Sequence, residues 1–246
     1  MSEQLVSRHD HQGVCTLTLN RPDKLNALCP QSFVELRAHL TVLATDKSIA
    51  CVVLAGAGRS FCAGHDLSTI SEEKGALEGE LFAAETIDAL EALPQPTIAR
   101  LQGHCFTGGL ELALGCDILI AAESARLGDT HGQWGLVPVW GMSVRLPLRV
   151  GRSMAKELMF TSRRISAADA LQIGLVDHCV ADDQLDAAVG KLAAEIVANS
   201  PGTNRIVKAL LLAAQEQTYQ QALRFERECP FGLPEDMQQR MQAGLK

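Results

Sequence analysis

The sequence lacks a basic balance. Its 22 Lys and Arg face 29 Asp and Glu, a net charge of −7, so the electropositive footprint of a nucleic-acid binder is missing. It also lacks any CxxC pair among its eight cysteines, which removes the zinc-ribbon and thioredoxin-like readings. The N-terminal stretch, residues 1–10, carries no apolar signal-peptide core. The cysteines, at 15, 29, 51, 62, 105, 116, 179 and 229, lie mostly in apolar or Gly/Ala-rich surroundings. Buried free thiols in a reducing cytoplasm are therefore expected. No apolar run approaches the roughly 18 residues of a membrane span, so no span is expected. No metal ligands cluster, no dinucleotide fingerprint occurs and no repeat of fixed period is visible, so neither a metal nor a redox cofactor is expected.

What the chain does have is an ordinary globular mixture. Its 246 residues are 47% hydrophobic and 21% charged, enough for a sizeable core in one large domain, with or without a small helical appendage. Val14–Asn20 alternates at period two and reads as a strand ending at the turn Asn20-Arg21-Pro22-Asp23. Gln31–Leu43 places Phe33, Leu36, Leu40 and Leu43 on one helical face. Cys51–Gly56, Thr97–Leu101 and Asp117–Ala122 are short apolar runs, hence buried strands. Ser71–Gly79 reads as a mobile charged segment. Glu80–Leu93 reads as a helix whose inner face is Leu81, Ala84, Ile87 and Leu90. Leu127–Gly141 is loop-like. From Ser153 onward the chain reads as helical almost to its end, in segments at 153–160, 166–174, 182–198, 203–217, 219–228 and 234–243. Ser166 with Asp169 is a cap signal, as is Asp182. Strand–helix alternation followed by helices predicts an α/β core with a helical C-terminal extension.

Two glycine-bearing turns stand out, each following an apolar strand. One is Phe61–Leu67 and the other is Gly103–Glu111. Ends of neighbouring strands in an α/β fold lie together, and ligands bind there. One backbone N–H from each turn can then meet at one oxygen, an oxyanion hole. Glu111 adds a carboxylate beside it. The bland alternative is an ordinary turn followed by a solvated glutamate near a helix start.

The segment Arg59–Leu67 resembles the first oxyanion loop of the crotonase (enoyl-CoA hydratase/isomerase) superfamily, and Gly103–Glu111 resembles its second. Asn20-Arg21-Pro22 through Asn26-Ala27-Leu28 is similar to the early motif of that family. Ala168-Asp169-Ala170 and Ile173–Asp177 are similar to its later helix-turn signature. The likeness spans nearly the whole chain. It implies a ββα spiral core, placed at residues 1–195, and a C-terminal helical region at 196–246 for oligomerisation or as a lid. It implies that the His65 and Gly108 N–H groups hold the thioester carbonyl of an acyl-coenzyme A. Lys24, Ala27, Ala63, His65, Asp66, Leu67 and Gly108 are then the substrate-lining candidates. Lys24 equally suits a solvated surface role. Coenzyme A enters only as part of the substrate, and a homotrimer or dimer of trimers is implied.

One departure matters. Hydratases of the family have two glutamates sharing the added water. Glu111 matches the first, whereas His131 holds the position of the second. Histidine is also an acid or base, with an ordinary pKa near 6.5. Three readings stay open: hydration of a trans-2-enoyl-CoA by Glu111 and His131, double-bond isomerisation, or a catalytically weak acyl-CoA-binding homologue. Other enolate chemistry, decarboxylation or thioester hydrolysis, fits the same hole. Hydration leads. Asp129 is placed to orient His131 or to replace it, while a loop histidine bonded to a backbone carbonyl is the bland reading. Cys105 reads as packing rather than as a nucleophile. Trp134, Trp140 and Met142 either shape an acyl pocket or belong to the core. Residues 225–246 depart from the usual family ending, which leaves chain-length preference open.

Overall fold

The computed structural model describes residues 4–69 and 74–244. The elements in order are β1 (Val6–His11), β2 (Val14–Leu19), α1 (Pro30–Leu43), β3 (Cys51–Gly56), α2 (Lys74–Glu91), β4 (Thr97–Leu101), β5 (His104–Phe106), α3 (Gly108–Leu114), β6 (Ile118–Ala122) and β7 (Arg126–Gly128). They continue as α4 (His131–Trp134), α5 (Met142–Thr161), β8 (Ile165–Ser166), α6 (Ala167–Gln172), β9 (His178–Val180), α7 (Leu185–Ala198), α8 (Pro201–Gln215), α9 (Tyr219–Arg227) and α10 (Met237–Gly244).

One sheet has the order β1-β2-β3-β4-β6-β9. Its β1–β2 hairpin is antiparallel and every later neighbour pair is parallel. A second sheet joins β5, β7 and β8. This is the α/β spiral expected from the sequence.

The apolar run of β3 is buried along its whole length because both faces are covered. Val52 and Leu54 enter the main core with α1, α2, α3 and α5, while Cys51 and Val53 enter a smaller core under α7 with Leu185, Val189 and Ala193. The α1 face is buried as its spacing predicts. Ser166 and Asp169 form the reciprocal cap that starts α6.

Several expectations need correction. Among the described side chains of α2 the buried ones are Ala83, Thr86, Ile87 and Leu90, whereas Leu81 is 56% exposed and Ala84 half-buried. Helix α2 begins at Lys74, so most of the segment read as a charged loop is helical. Residues 71–73 of that segment lie outside the described residues. The stretch read as loop over 127–141 contains β7 and the single turn α4, both too short to show periodicity. Helix α5 starts at Met142 rather than Ser153 and bends at Gly151, where φ is 76°. The cysteines are free thiols, but Cys229 is exposed rather than buried.

Candidate active site

The two turns lie side by side because β3 and β4 are parallel neighbours. Backbone hydrogen bonds lock one turn to the other: Cys62 N–H donates to His104 O at 2.9 Å, and Phe106 N–H to Cys62 O at 3.1 Å. The early motif docks on the first turn. Leu28 N–H donates to Gly64 O at 2.8 Å, Asp66 N–H to Leu28 O at 2.7 Å, and Ala63 N–H to Leu25 O at 3.0 Å. Buried Asn26 donates from Nδ2 to Ala57 O and Ser60 O. Arg21 pairs with Asp66 at 2.9 Å. Bonds from Ser68 and this arginine hold the Asp66 carboxyl down at about 2.

These contacts bring two amides close together. A side-chain carbon built on Gly108 would lie 3.3 Å from the His65 nitrogen, and one built on Gly64 would lie 3.6 Å from the Gly108 nitrogen. Gly64 has φ of 114°, closed to most side chains. Among the described residues neither N–H has a hydrogen-bond partner. Gly108 is buried and His65 half-buried. Buried amides are nearly always paired in folded proteins, so the open Gly108 N–H, with that of His65 close by, is free to donate to a bound oxygen.

The peptide before Gly108 is strained. Thr107 has φ 49° and ψ −114°, a conformation rare for a β-branched residue. It is held from three sides. Its N–H donates to Gly128 O at 2.9 Å, its hydroxyl meets the Thr130 hydroxyl, and that same hydroxyl accepts from Thr130 N–H at 3.2 Å.

Glu111 is 1% exposed. Its Oε1 accepts from Trp140 N–H and Met142 N–H, each at 3.1 Å. Its Oε2 lies 3.7 Å from His131 Nε2. On the far side His131 Nδ1 meets Asp129 Oδ1 at 2.5 Å. The three side chains form one line, Asp129–His131–Glu111. Burial raises the Glu111 carboxyl to about 7, against the pull of His131 and the two amides. Burial opposes charge on His131 as well. The bond from Asp129 and the charges of Glu111 and Asp129 outweigh it, so the imidazole is raised. His131 is therefore no loop histidine bonded to a carbonyl.

The structure thus brings Glu111 to His131 and the His65 N–H to the Gly108 N–H. Ala27 and Ala63 are half-buried beside the first turn, whereas Lys24 and Leu67 are exposed on its rim. Cys105 is fully buried, and burial pushes its thiol up, which suits packing. His104 bonds Ser60 Oγ at 2.8 Å. Trp134 is 58% exposed, while Trp140 and Met142 are buried. Sequence reasoning missed Thr107, Thr130, Asn26 and the anchoring role of the 140–142 backbone. Asn26 stood inside the early motif, but no sequence signal marked the others. Among the described residues no three His, Cys, Asp or Glu side chains group as metal ligands.

A parallel-strand spiral whose two turns bring open amides together near a buried Glu111–His131 pair has the form of a crotonase-type protein. A profile described as enoyl-CoA hydratase/isomerase matches residues 9–243. The short-chain-enoyl-CoA hydratase of Clostridium acetobutylicum is 36% identical over 219 residues, covering 87% of this chain and 84% of its own. An enoyl-CoA hydratase structure from Bacillus anthracis superposes with a TM-score of 0.94 at 34% identity, covering 98% and 95% of the two chains. A Thermobifida fusca structure in complex with acetoacetyl-CoA gives 0.85 at 30% identity, covering 92% of each. The chain belongs to the enoyl-CoA hydratase/isomerase family.

Proposed function

We propose that the protein is an enoyl-CoA hydratase, adding water across the double bond of a trans-2-enoyl-CoA to give a 3-hydroxyacyl-CoA. The observation that carries this is the pair of unpartnered N–H groups of His65 and Gly108 beside the Glu111–His131 pair. The thioester oxygen accepts from both amides. Negative charge that builds on it as an enolate is then met by donors already in place, each worth about 10²–10³ in rate in other enzymes. Glu111, as carboxylate, takes a proton from water while the water oxygen attacks carbon 3. His131, as imidazolium backed by Asp129, delivers a proton to carbon 2. The enolate collapses, and the proton taken by Glu111 returns to His131 for the next turnover. Lys24, Ala27, Ala63, Asp66 and Leu67 line the coenzyme A side of the cleft. Coenzyme A belongs to the substrate, and the reading requires no separate cofactor.

Residues 196–246 serve assembly into a homotrimer or a dimer of trimers. The exposed apolar side chains of this region, among them Leu211 and Tyr219, support that reading.

Crotonyl-CoA and a 3-enoyl-CoA, followed by the absorbance of the conjugated enoyl group, test the reaction. Hydration removes the absorbance of the first. Creation of absorbance from the second marks an isomerase, and no change in either marks a binder. A Glu111→Gln variant with full turnover would remove Glu111 from the mechanism.

A further inference from the structure

One large side chain, that of Trp140, packs against the paired amides. Trp140 is 3% exposed. A side-chain carbon built on Gly108 would overlap its indole. The ring lies 4.9 Å from the His65 imidazole and 4.9 Å from Phe33, which meets it edge-on. The backbone of the same residue reaches the other end of the site, where its N–H holds Glu111. One residue therefore touches both the amide pair and the proton-transfer carboxylate. In the hydratase reading, carbons 2 and 3 of the acyl group lie between those two points, and whatever follows them meets the indole.

The wall is also fixed. The Trp140 carbonyl accepts from Arg145 Nη1 at 2.8 Å. Arg145 is 9% exposed, and its guanidinium pairs with Asp88 and Glu91, each at 2.6 Å. Rotating the 140–142 backbone to widen the chamber would break the bonds to both Glu111 and Arg145. Extra acyl atoms are therefore not admitted by a cheap rearrangement of the chain.

We propose that Trp140 is the specificity-determining residue of this site, restricting it to short acyl thioesters. The proposal rests on the acyl-CoA reading of the cleft. One methylene too many in a closed apolar pocket costs about 10–200-fold in kcat/KM, so discrimination should rise steeply with chain length.

The chain has two tryptophans, so Trp134→Phe leaves Trp140 as the sole indole reporter. Titration of that variant with butyryl-CoA, which has no double bond to hydrate, should change Trp140 emission, and coenzyme A alone should not. An emission blind to butyryl-CoA overturns the proposal. In otherwise wild-type protein, Trp140→Ala should raise the ratio of kcat/KM for ten-carbon over four-carbon trans-2-enoyl-CoA by at least about tenfold. An unchanged ratio also overturns it. If Trp140→Ala does not fold, Trp140→Phe must move the ratio the same way by a smaller step. If the wild type hydrates nothing yet binds butyryl-CoA more tightly than decanoyl-CoA, the wall stands and the hydratase reading falls.

Discussion

A carboxylate as buried as Glu111 keeps its proton well above the usual range, and the consequences for pH can be worked out. Its pKa is raised from 4.5 to about 7 by burial. In the proposed mechanism Glu111 is the base and must be ionised, so kcat/KM should fall as pH drops through about 7. His131 must be charged as the acid, and its pKa is also raised, so activity falls again on the alkaline side. The resulting bell belongs to the pair rather than to either residue. Asp129→Asn removes the anion that favours the imidazolium, so the alkaline limb should move to lower pH in a pH–rate profile. Stability follows the opposite logic from an ordinary carboxylate. The folded Glu111 pKa lies above the unfolded one, so folded protein loses stability as pH rises from 4.5 to about 7. At about 1.4 kcal/mol per unit, this approaches roughly 3 kcal/mol. Glu111→Gln should therefore lower kcat by about 10²–10⁴. It should also melt higher than wild type at pH 8, with the gap shrinking toward pH 4.5, in calorimetry across that range.

Among the elements, the second turn depends on a clasp between two short pieces. Thr107 precedes α3 and Thr130 precedes α4, and their hydroxyls meet. The strained Thr107 peptide fixes the direction of the Gly108 N–H, so in the proposed mechanism the clasp acts on one of the two oxyanion donors. Thr130→Val keeps shape but removes the hydroxyl. It should lower kcat about five- to tenfold, the worth of one hydrogen bond, with KM nearly unchanged in steady-state kinetics. Elements with strong internal patterns were legible in sequence. The α1 stripe and the β3 run read correctly because each buries the face its periodicity names. Strand β1 was missed because its sequence, VSRHDH, turns mostly half-buried or exposed polar residues outward at the sheet edge. Strand β9, three residues long, was missed because pairing with β6 defines it rather than any pattern of its own.

Over the whole molecule, the helical tail leaves apolar surface uncovered. Lys208 is the one buried residue of α8, and its ammonium pairs with Asp117 at 2.7 Å. Leu211 on α8 is 65% exposed, and Leu148 on α5 is 66% exposed. The two line one hollow of about 390 Å³. Exposed apolar surface of this kind is a candidate interaction site, and the proposed assembly would cover it with another copy of the chain. Sedimentation velocity should find an assembly larger than one chain, and Leu211→Glu should shift it toward monomer. A monomeric wild type would remove the assembly role from residues 196–246.

The sequence alone determined the family, the two turns and Glu111, because glycines, a carboxylate and apolar strands at those spacings are local facts. It also named His131 as the odd residue. Only the tertiary structure decided what that histidine can do. Its charge depends on Asp129 behind it, Glu111 before it and the burial of all three, and burial is a property of packing that no single segment carries. The same holds for Trp140, whose place against Gly108 follows from how the chain returns to the cleft.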